Sequence, residues 1–291
     1  MRMEISPIGI LRTQQQQEDN TMAGRVRILP YLLGSQGARA LSESLGVMQL
    51  RTNNSRFTPR QGDIIFNWGL AKRDMFPAKV YNKPEAVRNV TNKLRFFRAS
   101  EGGEGFQTLP YTTDRNEAAQ WPVCVSRTIL DGHEGAGIVI TEEGEEPPRA
   151  SLYTKYIKKK AEFRIHVAFG QIIDMQRKIR DPAREPEDWR VRSYQNGFIF
   201  ARNSGLPSDT AQQAALAAME HYELDYGALD ILETKDGSVY IIEINSAPGL
   251  EGTTLERYTE AFQQEIENRR RYNRINQAPD FRANVQRRVA G

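Results

Sequence analysis

Residues 239–250, VYIIEINSAPGL, place two polar side chains inside an otherwise apolar run. Alternate residues of a β-strand point to the same face, so Glu243 and Asn245 are expected to lie side by side. Burying such groups is unfavourable unless a partner compensates for the lost hydration. The pattern therefore indicates a polar site near the end of a strand.

The preceding apolar segment supplies a third oxygen donor. The dipeptide Asp236-Gly237 predicts a two-residue hairpin turn, which would place Asp230 directly opposite Glu243 with Cβ atoms about 5 Å apart. Two opposed carboxylates repel each other unless one is protonated or a cation lies between them. Three oxygen donors without His or Cys suit a hard cation, most often Mg²⁺ together with phosphate. A solvated sheet face with unrelated acids is the alternative.

A second segment has the composition of a phosphate-binding loop. In residues 127–140, RTILDGHEGAGIVI, the cation Arg127 precedes Gly132, Gly135 and Gly137. Glycine lets backbone N–H groups approach phosphate oxygens. The Lys-Ser/Thr pair of a P-loop does not follow, and a glycine-rich hairpin without a ligand is the alternative.

Charged residues also alternate along residues 161–180, AEFRIHVAFGQIIDMQRKIR, which predict two strands. Alternation puts Glu162, Arg164 and His166 on one face, while Arg177 and Lys178 in the second strand must face opposite ways. Cations beside a phosphate–Mg²⁺ site would neutralise the charge that develops in phosphoryl transfer. The alternative is a surface strand whose charges form salt bridges.

Composition limits the classes of protein that fit. The chain has 291 residues, of which 39% are hydrophobic and 26% are charged, as expected for a soluble globular protein. No apolar run reaches about 18 residues, so the sequence predicts no transmembrane helix and no association with a membrane. The N-terminus lacks the pattern of a signal peptide, and the single cysteine, Cys124, excludes an internal disulfide. These features favour a cytoplasmic location.

The net charge of +3 is concentrated at the C-terminus. From residue 268 onwards the chain has seven arginines and one aspartate, so this segment carries +6 and residues 1–267 carry −3. Such segments are typical of solvated arms and of contacts with nucleic acid. The sequence therefore leaves open a nucleic-acid or other macromolecular partner for this tail.

Together these segments resemble the ATP-grasp superfamily and, within it, the RimK-like carboxylate–amine ligases. The resemblance covers about residues 63–257 and is most specific in GALDI and YIIEINSAPGLEG. It implies an α/β (α+β) ATP-grasp fold, in which a small N-terminal α/β domain is followed by two α/β subdomains that clasp the nucleotide. The expected divisions are a flexible N-terminus (1–20), an N-terminal α/β domain (21–95), a central subdomain with the glycine-rich loop (96–157), a C-terminal subdomain with the Mg/ATP site (158–267) and a basic tail (268–291).

The resemblance also implies roles for individual residues. Asp230, Glu243 and Asn245 would hold one or two Mg²⁺ ions, with Mn²⁺ as an alternative, that bridge the phosphates of ATP. Arg127 stands where the family usually has a lysine, which keeps the charge but changes its geometry. The implied nucleotide contacts are Lys93, Arg127, Gly132, Gly135, Gly137, Thr154, Lys155, Tyr156, Ile157, Glu162 and Lys178. The implied catalytic residues are Lys178 and Arg164. We add Arg180 to the candidate catalytic residues, because it lies with Arg184, Arg190 and Arg192 in or beside the loop after the basic strand, where they could bind an anionic substrate. An arginine-rich solvated loop is the alternative.

The implied reaction is an ADP-forming ligation of a carboxylate to an amine or another nucleophile through an acylphosphate. Two alternatives stay open at this stage. One is a kinase of the same fold that phosphorylates a small molecule, and the other is a nucleic-acid-binding protein that uses the basic tail. The sequence identifies neither substrate. The sequence does not determine the oligomeric state, although the resemblance leaves a homo-oligomer open, because ATP-grasp ligases often self-associate.

Overall fold

The computed structural model describes residues 24–72, 75–130, 137–186 and 188–277. Within these ranges the chain forms three β-sheets, which succeed one another along the sequence. The predicted flexible N-terminus, residues 1–20, lies outside the described part. None of the helices in these ranges has both the length and the apolar character needed to span a bilayer.

The first sheet is parallel and has the strand order β2-β1-β3-β4. Helix α1 begins where the Ser35 side chain accepts a hydrogen bond from the Ala38 N–H, and it ends at Gly46, whose φ of +65° is left-handed. The buried strands have the continuous apolar sequence typical of parallel sheets. The elements are β1 (Val26–Pro30), α1 (Gln36–Leu45), β2 (Met48–Gln49), β3 (Ile64–Trp68) and β4 (Lys79–Tyr81).

Two helices lead to a second, antiparallel sheet of order β5-β8-β6-β7. The helices α2 (Pro84–Thr91) and α3 (Lys93–Ala99) are separate because Asn92 is extended and its side chain accepts a hydrogen bond from the Arg95 N–H. The elements that follow are β5 (Tyr111–Thr112), α4 (Arg115–Ala118), β6 (Val123–Arg127), β7 (Ile138–Glu142) and β8 (Leu152–Lys155).

The third and largest sheet is antiparallel, with the order β11-β10-β9-β12-β13. Its apolar face packs on the alanines of α5 and on α2, and forms the largest hydrophobic core of the described residues. Burial of each large aliphatic side chain there contributes about 1.5–3 kcal/mol. The elements are β9 (Ala161–Ala168), β10 (Gln171–Arg180), β11 (Phe198–Ala201), α5 (Asp209–His221), β12 (Tyr226–Glu233) and β13 (Val239–Asn245).

The hairpin between β12 and β13 differs from the two-residue turn that the sequence predicts. The Thr234 N–H donates to the Ser238 carbonyl at 3.0 Å, so the loop between these paired residues is Lys235–Gly237. Gly237 has a φ of +87°, as is usual at the last position of a three-residue loop. The prediction of a two-residue turn is therefore wrong, because Asp-Gly is compatible with both loop lengths.

A β-bulge in β13 corrects the register before the predicted site. Ile231 pairs with Ile241, but Asp230 pairs with Glu243, so Ile242 is the extra residue. The longer loop shifts the pairing by one residue, and the extra residue of the bulge shifts it back by one. The predicted opposition of Asp230 and Glu243 is therefore confirmed.

The last helix, α6 (Gly252–Gln277), packs against both the first and the third sheet. Its Tyr258 and Phe262 are fully buried beside Trp68 of β3 and Tyr226 of β12. Residues 268–277 of the predicted basic tail continue this helix, because no break occurs before Gln277. Residues 278–291 lie outside the described part of the chain.

Candidate active site

One face of the third sheet carries charged side chains in place of apolar ones. The pairing of strands aligns Gln176, Arg164, Asp230 and Glu243 in one row across β10, β9, β12 and β13. Cross-strand partners share a face, so these four side chains lie on the side opposite the main core. We call this side the polar face; it also carries Glu162, His166, Asp174, Lys178, Phe200, Ala228 and Asn245.

Asp230 is held by a two-pronged ion pair at the centre of this face. Arg164 donates from Nε to Oδ1 at 2.7 Å and from its terminal nitrogen to Oδ2 at 2.9 Å. Burial alone would raise the pKa of Asp230, but attraction from Arg164 and Lys178 outweighs it and lowers the pKa to about 2. Asp230 is therefore ionised at neutral pH, and lone pairs remain on its oxygens for another ligand.

Lys178 lies between two carboxylates. Its Nζ is 2.6 Å from Glu162 Oε1 and 3.6 Å from Asp230 Oδ2. Burial would lower the pKa of Lys178, but these two carboxylates reverse the shift and raise it. Lys159 binds the second oxygen of Glu162 at 2.9 Å, so Glu162 is ionised as well. The strand pair therefore concentrates cations around two buried acids.

The structure distinguishes Lys178 from its neighbour Arg177. Arg177 pairs with Phe163 and donates to the Ser204 carbonyl at 2.7 Å, on the apolar side of the sheet. Of these two residues, only Lys178 lies on the same face of the sheet as Arg164. Arg180 follows at the end of β10, where it is half-exposed and forms an ion pair with Glu185. The face therefore brings Lys178 and Arg164 together and leaves Arg180 at its margin.

Arg127 is a partly buried cation at the end of β6. Its Nε is buried, and no acceptor for that atom exists among the described residues. Burial lowers the pKa of the guanidinium, whereas attraction from Glu243 opposes the shift. A buried guanidinium nitrogen without an acceptor is unfavourable in the protein without ligand, so this end of β6 suits an anion supplied from outside.

Glu243 is the acid that faces Arg127. In the described ranges no hydrogen bond or ion pair to its carboxylate is formed, although both Arg127 and Arg164 attract it electrostatically. The neighbouring Asn245 Oδ1 accepts a hydrogen bond from the Ala247 N–H at 3.1 Å. Glu243 is therefore the acid of this face that is most available to a ligand.

The glycine-rich segment begins directly after Arg127. The Thr128 N–H and Oγ1 both donate to the Gly137 carbonyl, at 2.9 and 3.0 Å, which closes the base of the loop. Gly137 has a φ of +73°, and a Cβ there would lie 2.8 Å from atoms of Thr128 and Ile129, so only glycine fits. The predicted Gly132 and Gly135 lie outside the described residues.

The other predicted nucleotide contacts lie around the second sheet. Lys93 begins α3, and its N–H donates to the Leu130 carbonyl at 3.2 Å, next to the glycine-rich segment. Thr154 is buried, and its Oγ1 has no partner among the described residues. The N–H groups of Lys155 and Tyr156 donate to the carbonyls of Pro110 and Val123, while Ile157 packs against the main core. The segment of residues 154–157 thus connects the second sheet to the third.

A second polar cluster was not predicted from the sequence. Arg202 donates to both oxygens of Asp174 at 3.1 and 2.7 Å, and Thr254 at the start of α6 donates to Asp174 Oδ2 at 2.8 Å. Gln176 donates to Thr254 Oγ1 at 2.8 Å. Alternation along β10, counted back from Lys178, is the one signal that places Asp174 and Gln176 on the same face.

His166 joins the two clusters as a neutral group. The Tyr258 hydroxyl donates to the Gly227 carbonyl at 3.0 Å, so the contact between this hydroxyl and His166 Nδ1, at 3.2 Å, assigns the proton to Nδ1. Burial, with a smaller contribution from Arg164, lowers the pKa of His166 to about 4. The ring is therefore uncharged at neutral pH.

The oxygen donors of this face fit a magnesium site of the kind that phosphate completes. Among the described residues no group of three or more His, Cys, Asp or Glu could hold a metal alone. Mg²⁺, however, is often bound by one or two carboxylates together with substrate phosphates. Asp230 and Glu243 supply two carboxylates on adjacent strands, and Asn245 adds an amide oxygen.

Comparison with known proteins accounts for this arrangement. A family model described as the RimK-like ATP-grasp domain matches residues 128–268. Residues 128–268 are therefore similar to a RimK-like ATP-grasp domain. Members of the ATP-grasp family are ATP-dependent ligases, so the predicted family and the prediction of an enzyme of this class are confirmed.

Solved structures similar to the chain share its fold. The ATP-grasp ligase PsnB, complexed with a phosphomimetic variant of its minimal precursor, Mg and ADP, is 13% identical with a TM-score of 0.57, covering 85% of this chain and 99% of PsnB. The D-alanine–D-alanine ligase of Bacillus anthracis is 15% identical with a TM-score of 0.58, covering 87% of this chain and 100% of its own. The ADP complex of PurK, N5-carboxyaminoimidazole ribonucleotide synthetase, is 15% identical with a TM-score of 0.58, covering 83% of this chain and 76% of PurK. The predicted ATP-grasp fold is therefore confirmed.

Proposed function

We propose that this protein is a Mg²⁺-dependent carboxylate–amine ligase that forms an acylphosphate and ADP from ATP. The observation that carries the proposal is the Arg127 guanidinium, which Glu243 attracts and whose buried Nε lacks a hydrogen-bond acceptor among the described residues. Because Arg127 is attracted by Glu243, which lies opposite Asp230, an anionic ligand bound there would compensate for the burial of Nε. MgATP is such a ligand.

The charges of the site support binding of a polyphosphate with its metal. Four cations, Lys159, Arg164, Lys178 and Arg127, surround three carboxylates, Glu162, Asp230 and Glu243. One positive charge is therefore in excess before any ligand binds. In this proposal the nucleotide lies between the central subdomain, residues 96–157, and the C-terminal subdomain, residues 158–267, with residues 154–157 beside the adenine.

The metal ligands in this proposal are Asp230, Glu243 and Asn245. Bound Mg²⁺ would neutralise charge on the phosphate oxygens and fix their orientation. The Arg164 guanidinium holds Asp230 in place, since both of its hydrogen bonds to this carboxylate are short. Glu243 can bind the metal without first releasing a cation, because no described cation bonds to it directly.

The reaction then follows from the position of the cations. A carboxylate oxygen of the substrate attacks the γ-phosphorus, the bond from this phosphorus to the β-γ bridging oxygen breaks, and ADP leaves. Lys178 and Arg164 stabilise the charge on the transferring phosphoryl group. An amine then attacks the acylphosphate carbonyl and loses a proton, and inorganic phosphate leaves. Positioning and electrostatics suffice, so no covalent enzyme intermediate is required.

The solved relatives guide the choice of substrates to test. The PsnB structures contain a minimal precursor and, in one case, a precursor peptide. Peptides with carboxylate side chains therefore belong in the screen with free amino acids. The arginine-rich segment after residue 268 adds nucleic acids and other anionic macromolecules as carriers of the reacting group.

Hydroxylamine trapping tests the proposal. The full chain is incubated with ATP, Mg²⁺, hydroxylamine and pools of carboxylates, and ADP and hydroxamates are measured by mass spectrometry. We expect a hydroxamate and an equal amount of ADP with one class of carboxylate, and neither product with Glu243→Gln. A phosphorylated alcohol without a hydroxamate would identify the kinase alternative instead.

A further inference from the structure

Phe200 lies over both of the cations that the proposed reaction uses. Its ring centroid is 4.2 Å from Arg164 Cζ and 5.1 Å from Lys178 Nζ. Phe200 belongs to β11, the edge strand of the third sheet, and pairs with Lys178. At 37% exposure, the ring is large and apolar yet only partly removed from water. Hydrophobic burial therefore does not by itself explain an aromatic residue at this place.

An aromatic ring has an effect on these cations that other side chains lack. Its negative face attracts a cation, and the attraction is stronger where water is excluded. A carboxylate at the same position would neutralise a charge that the phosphate needs, whereas an aliphatic side chain would supply packing without attraction. The ring thus restrains the cations and preserves their charge.

The restraint matters because both cations are also held by acids. Arg164 is bound by Asp230, and Lys178 lies between Glu162 and Asp230. When a triphosphate and its metal arrive, Asp230 must share its oxygens with the metal, which weakens its hold on both cations. Contact with Phe200 does not change in this exchange, because the ring offers no metal ligand.

We propose that Phe200 is a positioning residue that holds Arg164 and Lys178 in place for the γ-phosphate through the face of its ring. The inference rests on the proposed function, because it assigns the two cations to the terminal phosphate. It adds a requirement for aromatic character at a position on the edge strand. Loss of the ring face is expected to weaken the binding of a nucleoside triphosphate more than that of a diphosphate.

The test replaces Phe200 in the full chain with Leu, with Tyr, and with mono-, di- and trifluorophenylalanine. Fluorination keeps the shape of the ring while it reduces the negative potential of the face, so a purely structural role would be insensitive to it. Affinities for AMPPNP and ADP are measured by calorimetry with excess Mg²⁺. The matched control is Phe57→Leu, because Phe57 packs in the core beside the first sheet and its ring lies 4.3 and 5.9 Å from the guanidinium carbons of Arg25 and Arg27.

We expect AMPPNP affinity to fall stepwise with fluorination and to fall about five-fold or more in Phe200→Leu, since about 1 kcal/mol is the scale of two weak cation–π contacts. ADP affinity should change less, and Tyr should restore binding. Equal AMPPNP affinity across the fluorinated series, in a protein that binds AMPPNP normally, would overturn the role of Phe200 alone. Failure of the unmodified protein to bind either nucleotide with Mg²⁺ would overturn the proposed function and this inference together.

Discussion

Asp230 and Glu243 face each other across β12 and β13, although one of them is tied to Arg164 and the other is bonded to no described side chain. The two carboxylates therefore differ in what they contribute to the ligand-free protein. Asp230 compensates buried cations, while Glu243 stands ready for a ligand. Substitution of Asp230 should therefore affect both stability and nucleotide binding, whereas substitution of Glu243 should affect nucleotide binding alone.

Glu243→Gln is expected to abolish Mg²⁺-dependent binding of AMPPNP while the melting temperature without ligand stays within a few degrees of the original. Asp230→Asn should also abolish it, but with a loss of about 1–3 kcal/mol in stability, because Arg164 and Lys178 lose a charged partner. Thermal unfolding followed by circular dichroism, with and without MgAMPPNP, measures both effects. Normal Mg²⁺-dependent binding in either variant would contradict the assignment of the metal site.

Arg127→Met is expected to raise the melting temperature of the ligand-free protein by a few degrees, because a buried cation without adequate pairing is replaced by an apolar side chain of similar length. The same variant should lose the further stabilisation that MgAMPPNP gives. Arg25→Met is the matched control, since Arg25 is paired with Asp63 at 2.6 Å and its removal should lower stability. A lower melting temperature in Arg127→Met, with nucleotide stabilisation retained, would rule out this role.

Lys178→Met and Arg177→Met test the orientation of β10. The first change removes a cation of the polar face and should reduce AMPPNP affinity at least ten-fold, by about 1.4 kcal/mol or more. The second removes a side chain that bonds to the Ser204 carbonyl on the other side, so affinity should change less than two-fold. Calorimetric titration with AMPPNP measures the affinity of both variants. A larger loss of affinity in Arg177→Met than in Lys178→Met would refute the assignment of Lys178 to the polar face.

Stability should depend on pH through His166. Burial lowers its pKa in the folded protein to about 4, from 6.5 in the unfolded chain. Between these values the unfolded chain binds the extra proton, so stability is complete above about pH 6.5 and falls as the pH decreases towards 4. Arg164, Asp174, Asp230, Arg202 and Tyr258 surround the ring.

His166→Gln isolates this contribution. At each pH the free energy of unfolding of the variant is subtracted from that of the original protein. This difference should shrink from pH 6.5 to pH 4. A constant difference over this range would show that His166 does not titrate there. Stability is the quantity compared, so the test requires no substrate.

The central pair of the site could be predicted because the apolar pattern of β12 and β13 leaves few registers for Asp230 and Glu243. The turn could not, since Asp236-Gly237 fits loops of two and of three residues, and the bulge at Ile242 has no local signal. Asp230 therefore lies opposite Glu243, as predicted, only because the three-residue loop and the bulge shift the pairing in opposite directions.

The orientation of β10 and the second polar cluster required the three-dimensional structure. Lys178 and Arg177 are adjacent, so only the pairing of β10 with β9 decides which of them meets Asp230. Arg202 and Thr254 are 28 and 80 positions away from Asp174, and no local pattern links them. The roles of all these residues stay predictions until nucleotide binding is measured.

Helix α6 sets a minimum size for any molecule that would bind both the polar face and the arginines that follow residue 268. Thr254, which bonds to Asp174, marks the end of the helix next to the site, and Arg269–Arg271 lie about four turns further along. At a rise of 1.5 Å per residue this separation is about 25 Å. A free amino acid is far too short to reach from one end to the other, whereas an extended peptide of about eight residues or a short oligonucleotide is long enough.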